Sequence, residues 1–327
     1  MTSAFRKDVI SDIFCVCMFT DLIIALCYNI VYIMQPKIPA VRRVIEMKEK
    51  QRNHLISEKV PLIAIVFWII LAFVLEIILD GLFKAFFPSD GTGMIGNISS
   101  ICMAILLMIL MKVWYSPQYK GTLKSGLPFT LTLLVMGPMI IKSVVILIIQ
   151  LFQFNFWFDP SLYNIVKALA AGFWEECVFR VTVIPIAMGF LKTEKKIWLL
   201  PAISGVIFGI MHMVNINGGA TLTNTLTQAL VTTLDGFFYG ALFVVTGSAF
   251  PGIILHSVYD FICFAGDRSL TNGIMTTSLQ TWEIIFNIVL SLLIFAGGVM
   301  IIRKVGKNKI LSVWREKWSQ KEAAIQG

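Results

Sequence analysis

The residues most able to do chemistry are ionisable side chains set inside apolar runs. Glu175 and Glu176 are adjacent within Phe173-Trp174-Glu175-Glu176-Cys177-Val178-Phe179-Arg180. On a helix turning about 100° per residue, Glu176 and Arg180 lie about 40° apart, whereas Glu175 and Arg180 lie about 140° apart. Arg180 can therefore neutralise Glu176 from within the helix, while Glu175 points elsewhere. A carboxylate in a low-dielectric setting without its own cation suits a general base. Histidine is scarce, with only His54, His212 and His256 in the chain. His54 falls in a basic segment and reads as solvated. His212 closes Phe208-Gly209-Ile210-Met211-His212, and His256 opens His256-Ser257-Val258-Tyr259-Asp260. His256 and Asp260 are four residues apart on one helix face, so the carboxylate can orient the imidazole or share a metal or water with it. These groups cost several kcal/mol to place among apolar helices unless they converge and hydrogen-bond. The bland alternative for the Glu pair and Arg180 is a buried ion triad that links helices.

The elements that carry them are membrane spans. Apolar residues make up 57% of the 327 and charged residues 14%, too few to coat a soluble globule. Apolar runs of spanning length, about 20 residues each, fall at 12–34, 61–87, 95–115, 127–152, 163–190, 198–215, 221–246, 250–266 and 281–302. The fold class expected is all-α, a polytopic transmembrane helix bundle of eight or nine spans. The run at 12–34 is too long for the apolar core of a signal peptide and reads as a retained first span. Asp235-Gly236 reads as a break within the seventh run, and Phe250-Pro251-Gly252 as the turn before the eighth.

The net charge of +8 does not indicate nucleic acid, because Lys and Arg cluster in short loops rather than on one face. Nine spans put the basic segments 36–59, 112–124, 192–196 and 303–321 on one side. The loops at 88–94 and 153–162 have neither Lys nor Arg. The positive-inside rule then predicts a cytoplasmic C-terminus in a multi-pass protein of the cell membrane. The tail with Trp314 and Trp318 is expected to lie along the headgroups. Six cysteines without a CxxC suggest buried hydrophobes rather than a disulfide framework or a zinc knuckle. Among the other intramembrane charges, Glu76, Asp80 and Lys84 repeat every four residues as a helix-face ladder. Lys142 sits mid-span and needs a carboxylate from another helix.

Taken together, Glu175-Glu176 with Arg180, Phe208 with His212, and His256 with Asp260 resemble the type II CAAX prenyl endopeptidase family, also called Abi or the CAAX-protease-and-bacteriocin-processing (CPBP) family. The family pattern is Glu-Glu-x-x-x-Arg, Phe-x-x-x-His and His-x-x-x-Asn or Asp, in that order. The resemblance divides the chain into N-terminal helices of unassigned role at 1–160, a catalytic core at 161–270, and a last helix with basic tail at 271–327. It implies an intramembrane endopeptidase acting on a membrane-associated peptide or protein within the lipid bilayer, with no nucleic-acid partner. In such families the first Glu and first His, here Glu175 and His212, activate a water. The second His and its Asn partner, here His256 and Asp260, stabilise the oxyanion. An ionised Asp260 cannot donate a hydrogen bond, so it must be protonated, orient His256 or ligate a metal. The family is usually called metalloprotease, and Glu175, His212 and His256 would then be the zinc ligands, although the helical HExxH is absent. Asn215 and Asn217 are expected at the same mouth.

Other classes account for fewer of these residues. A rhomboid-type serine protease would use Ser204 with His256 but leaves Glu175 and Glu176 unexplained. A presenilin-like aspartyl protease would use Asp235 and Asp260 but lacks Gly-x-Gly-Asp. A non-catalytic immunity or scaffold protein, or a proton-coupled transporter retaining the fold, is the alternative from outside enzymology, although no internal repeat of transporter type is visible.

Overall fold

The structure, a computed structural model, describes residues 61–87, 93–114, 120–190, 195–271 and 274–318. The expected first span at 12–34, Asp21, the basic segment 36–59 with His54, Lys192 and the tail beyond residue 318 lie outside them. Ten α-helices are described: α1 Pro61–Phe86, α2 Met94–Trp114, α3 Phe129–Gln153, α4 Leu162–Glu176, α5 Ile184–Phe190, α6 Lys196–Met211, α7 Leu222–Thr246, α8 Phe250–Gly266, α9 Thr281–Val305 and α10 Lys307–Lys317. A two-stranded hairpin, β1 Leu270–Thr271 and β2 Ile274–Met275, bridges α8 and α9. The protein is thus an all-α membrane bundle. Six helical segments among the described residues are long and apolar enough to cross a bilayer, and α8 is a shorter apolar helix.

Local chemistry sets the helix ends. Ser161 caps α4 by accepting the Asn164 N–H at 3.4 Å, and Thr221 caps α7 by accepting the Asn224 N–H at 3.2 Å. Gln280 and Glu283 form a capping box at the start of α9. Each satisfies backbone donors that have no partner within the helix. Pro251 enters α8 in its first turn, where its missing N–H costs nothing.

Helix α7 is the axis of the bundle. In its most apolar window 67% is buried, against 28–39% for the other five spans, which therefore turn large apolar side chains outward. Ile77, Leu134, Ile141, Leu293 and Met300 are among those exposed, as a lipid solvent allows. Helices α6 and α7 approach through small residues. A Cβ on Gly205 would lie 2.6 Å from the Thr233 carbonyl oxygen, and one on Gly236 would lie 2.9 Å from Gly205 Cα. Gly205 and Gly209 on α6, with Gly236 and Gly240 on α7, each form the small-xxx-small spacing that lets membrane helices pack closely without a hydrophobic driving force.

Four expectations change. Asp235-Gly236 does not break a span, because α7 runs through it, and Gly236 is there for close packing. The run 163–190 is not one regular helix, since it is interrupted between α4 and α5. Trp314 and Trp318 are buried, at 2% and 6% exposure, rather than lying in headgroups. The Trp314 indole donates to the Val244 carbonyl at 2.7 Å, because α10 folds its apolar face onto the end of α7. The ladder forms only in part. Lys84 pairs with Asp80 at 2.6 Å, while Glu76 accepts the Ser100 hydroxyl of α2 at 2.5 Å.

Candidate active site

Helix α4 delivers Glu175 and Glu176 at its last turn, and the chain then widens into a π-helix, Cys177–Val181. The Thr182 N–H reaches back five residues to the Cys177 carbonyl at 3.2 Å. Pro185 supplies a physical reason: it has no N–H to give the Val181 carbonyl, so the regular ladder cannot continue. Such widened turns recur at functional sites, and here it leaves Arg180 fully buried one turn past Glu176.

Glu176 is sealed, its side chain 1% exposed, and Arg180 Nη1 stands 3.3 Å from its Oε1, as the helical spacing predicts. The same oxygen lies 3.1 Å from His256 Nδ1. With a carboxylate as acceptor, Nδ1 carries the hydrogen, which turns Nε2 toward the other two carboxylates. Glu175 Oε2 is 3.3 Å and Asp260 Oδ2 3.6 Å from Nε2. One imidazole therefore joins three helices: α4 through both glutamates, and α8 through His256 and Asp260. The third is α7, whose Tyr239 ring stacks on His256 with centroids 5.0 Å apart and an 18° tilt. Glu175 is the more open of the pair, at 24% side-chain exposure, so the two carboxylates occupy different environments, as expected. Glu176 holds Arg180 and His256, and Glu175 reaches the cavity.

Helix α8 approaches α4 closely enough to build this. A Cβ on Gly252 would sit 2.7 Å from Glu176 Oε2, and one on Gly172 would overlap Ser257. Phe208 is the other organiser. Its ring lies 4.5 Å from the Arg180 guanidinium carbon, and edge-on to His212 at 4.6 Å and to His256 at 5.8 Å. His212 falls where α6 gives way to a 3₁₀ helix, His212–Gly218, with Nδ1 bonded to the Phe208 carbonyl at 2.9 Å. Glu175, His212, His256 and Asp260 all line one cavity of about 830 Å³, together with Tyr239, Asp235 and Asn215. Asn217 is exposed and does not line it. The cavity lies toward the ends of α3, α6 and α8 and the starts of α7 and α9.

Among the described residues no group of three or more His, Cys, Asp or Glu side chains is arranged to hold a metal ion. The set Glu175, His212 and His256 is thus not drawn together as a metal centre in this structure. Each histidine is held through Nδ1, His256 by Glu176 and His212 by a backbone carbonyl, which leaves Nε2 as the nitrogen a metal would take.

Two features of the site carry no local sequence signal. Tyr239 reads as one aromatic in an apolar run. Lys142 of α3 finds its carboxylate in Asp235 of α7, and its ammonium also donates to Ser291 of α9 at 3.0 Å and lies 5.1 Å from the Tyr259 ring. The need for a distant partner was readable, but not which one.

A family match covers the region that carries this geometry. Residues 157–262 match the family described as type II CAAX prenyl endopeptidase, Rce1-like. That stretch runs from just before α4 into α8 and contains all six of Glu175, Glu176, Arg180, His212, His256 and Asp260. The match supports the resemblance of this region of the chain to that family. No curated protein and no solved structure is similar to the chain.

Proposed function

We propose that the protein is an intramembrane endopeptidase that hydrolyses a peptide bond of a membrane-associated peptide or protein. The observation that carries this reading is the convergence of Glu175, Asp260 and Glu176 on the single imidazole of His256, at the wall of a cavity among the apolar helices. Water entering beside Glu175 loses a proton to that carboxylate as its oxygen adds to the scissile carbonyl carbon. The carbonyl π pair moves onto oxygen. When the carbonyl re-forms, the C–N bond breaks and the proton held by Glu175 passes to the leaving amine. The products are a new carboxyl terminus and a new amino terminus. His256, with a hydrogen on each ring nitrogen, donates from Nδ1 to Glu176 and from Nε2 to Glu175 and so steadies the Glu175 charge. His212 lines the same cavity and is placed to hold the water.

Among the described residues, the basic stretches at 120–124, 195–196 and 303–317 lie at the opposite end of the helices from the cavity. Applied to the described helices, the positive-inside rule puts the C-terminus in the cytoplasm and opens the cavity toward the other face of the cell membrane. The test is comparative peptidomics of membranes carrying the wild-type chain or Glu175→Ala. Peptides released by the wild type should be missing with the variant while the protein level is unchanged. Identical peptide pools would leave a non-catalytic membrane role.

A further inference from the structure

The reaction above needs a hydrogen-bond donor for the oxyanion, and the inference rests on that reading of the site. Asp260 lies at the site, but an ionised carboxylate only accepts. Two of the amide side chains on the cavity wall are engaged elsewhere. Asn215 donates to Gln228 at 2.9 Å, and Asn224 donates to the Met275 and Thr277 carbonyls at 3.0 and 2.7 Å. Arg180 is sealed behind aromatic rings, with its guanidinium carbon 4.5 Å from the Phe208 centroid and 5.6 Å from that of Tyr239.

Tyr239 is different. It lines the cavity and is 2% exposed, and its hydroxyl is buried without a hydrogen-bond partner among the described residues. Buried hydroxyls are rarely left so, because the missing bond is costly. Its ring is fixed from two sides. It stacks on His256, and its helix is pinned one turn earlier, where Asp235 pairs with Lys142 and the Gly236 carbonyl accepts from Arg180 Nη2 at 3.3 Å. A phenol held rigidly against the central imidazole, with its hydrogen uncommitted, is a preorganised donor.

We propose that Tyr239 is a catalytic residue whose phenolic O–H donates a hydrogen bond to the oxyanion formed when water adds to the scissile carbonyl. The phenol keeps its proton throughout. The bond strengthens as the carbonyl π pair moves onto oxygen and relaxes when the carbonyl re-forms and the C–N bond breaks.

The test uses the full chain in detergent and a fluorogenic peptide copying the cleavage sequence released by the wild type but not by Glu175→Ala. Tyr239→Phe keeps the ring, the stack and the packing, and removes only the hydroxyl. Its kcat should fall by about 10²–10³, the usual effect of deleting one oxyanion donor, with KM within about twofold of wild type and an unchanged unfolding midpoint. Asp260→Asn added to Tyr239→Phe should recover about tenfold or more, since an amide can donate from that position. A Tyr239→Phe kcat within about threefold of wild type, or a loss confined to KM, overturns the assignment. Failure of the wild-type chain itself to cleave any peptide overturns the protease reading and this assignment with it, an outcome distinct from normal turnover by Tyr239→Phe.

Discussion

Lys142→Met isolates the buried ion pair that ties the N-terminal helices to the site. Lys142 is 1% exposed and Asp235 8% on the side chain, so neither charge is screened by water. Removing the ammonium leaves the Asp235 carboxylate buried without a cation, which costs about 3–5 kcal/mol. The lost bond to Ser291 adds about 1 kcal/mol. Against a total stability of about 5–15 kcal/mol, the single variant should unfold far more easily. Replacing both partners, Lys142→Met with Asp235→Leu, removes the unpaired charge and should return to within about 2 kcal/mol of wild type. The four proteins of the cycle can be unfolded in mixed micelles by titrating a denaturing detergent, with helicity followed by circular dichroism. The pair predicts a coupling energy of at least about 2 kcal/mol. Additive losses would refute the claim that Lys142 and Asp235 act on one another across α3 and α7.

Two further substitutions probe the supports of the site. Gly252→Ala puts a methyl 2.7 Å from Glu176 Oε2, so α8 or the carboxylate must shift. Overpacking of this kind costs about 1–3 kcal/mol, and peptide cleavage should fall while helicity is kept; normal cleavage would show that the Glu176–His256 contact tolerates displacement. Asn224→Ala frees the segment after β2, because this one side chain donates to the Met275 and Thr277 carbonyls and accepts the Leu279 N–H at 3.0 Å. Amide exchange across residues 275–279 should quicken by about tenfold or more if those bonds contribute about 1–3 kcal/mol, and an unchanged rate would mean that the segment is held by other contacts.

Much of this architecture is legible in the chain because a bilayer makes each span declare itself as an apolar run. Expected and observed helices from residue 61 onward agree closely in position, apart from the run 163–190, which divides into α4 and α5. Spacing also read the Glu176–Arg180 pair and the shared face of His256 and Asp260, since both are four-residue relations within one helix. Relations between helices were not readable. The bond from Glu176 to His256 joins α4 to α8 across the bundle, and the pairing of Lys142 with Asp235 joins helices far apart in sequence. Helical spacing made Asp260 the natural partner of His256. In the folded chain Glu176 takes Nδ1, and Asp260 shares the Nε2 side with Glu175, because Gly252 lets α8 settle directly over the glutamate. Gly236 misled in the same way: glycine marks both helix breaks and tight helix contacts, and only the neighbour, Gly205, decides between them. The π-helix had a local cue in Pro185, which a reading by apolar run passes over.

The central claim is that Glu175 is the base for water attack on a peptide bond inside the membrane. The most direct measurement reconstitutes the wild-type chain and Glu175→Gln in liposomes with the peptide identified by peptidomics, and follows its cleavage by mass spectrometry. Glu175→Gln keeps the side-chain shape and removes its basicity, so the rate should fall by about 10²–10⁴, with the His256 contacts to Glu176 and Asp260 left in place. Cleavage by Glu175→Gln at the wild-type rate would contradict the account.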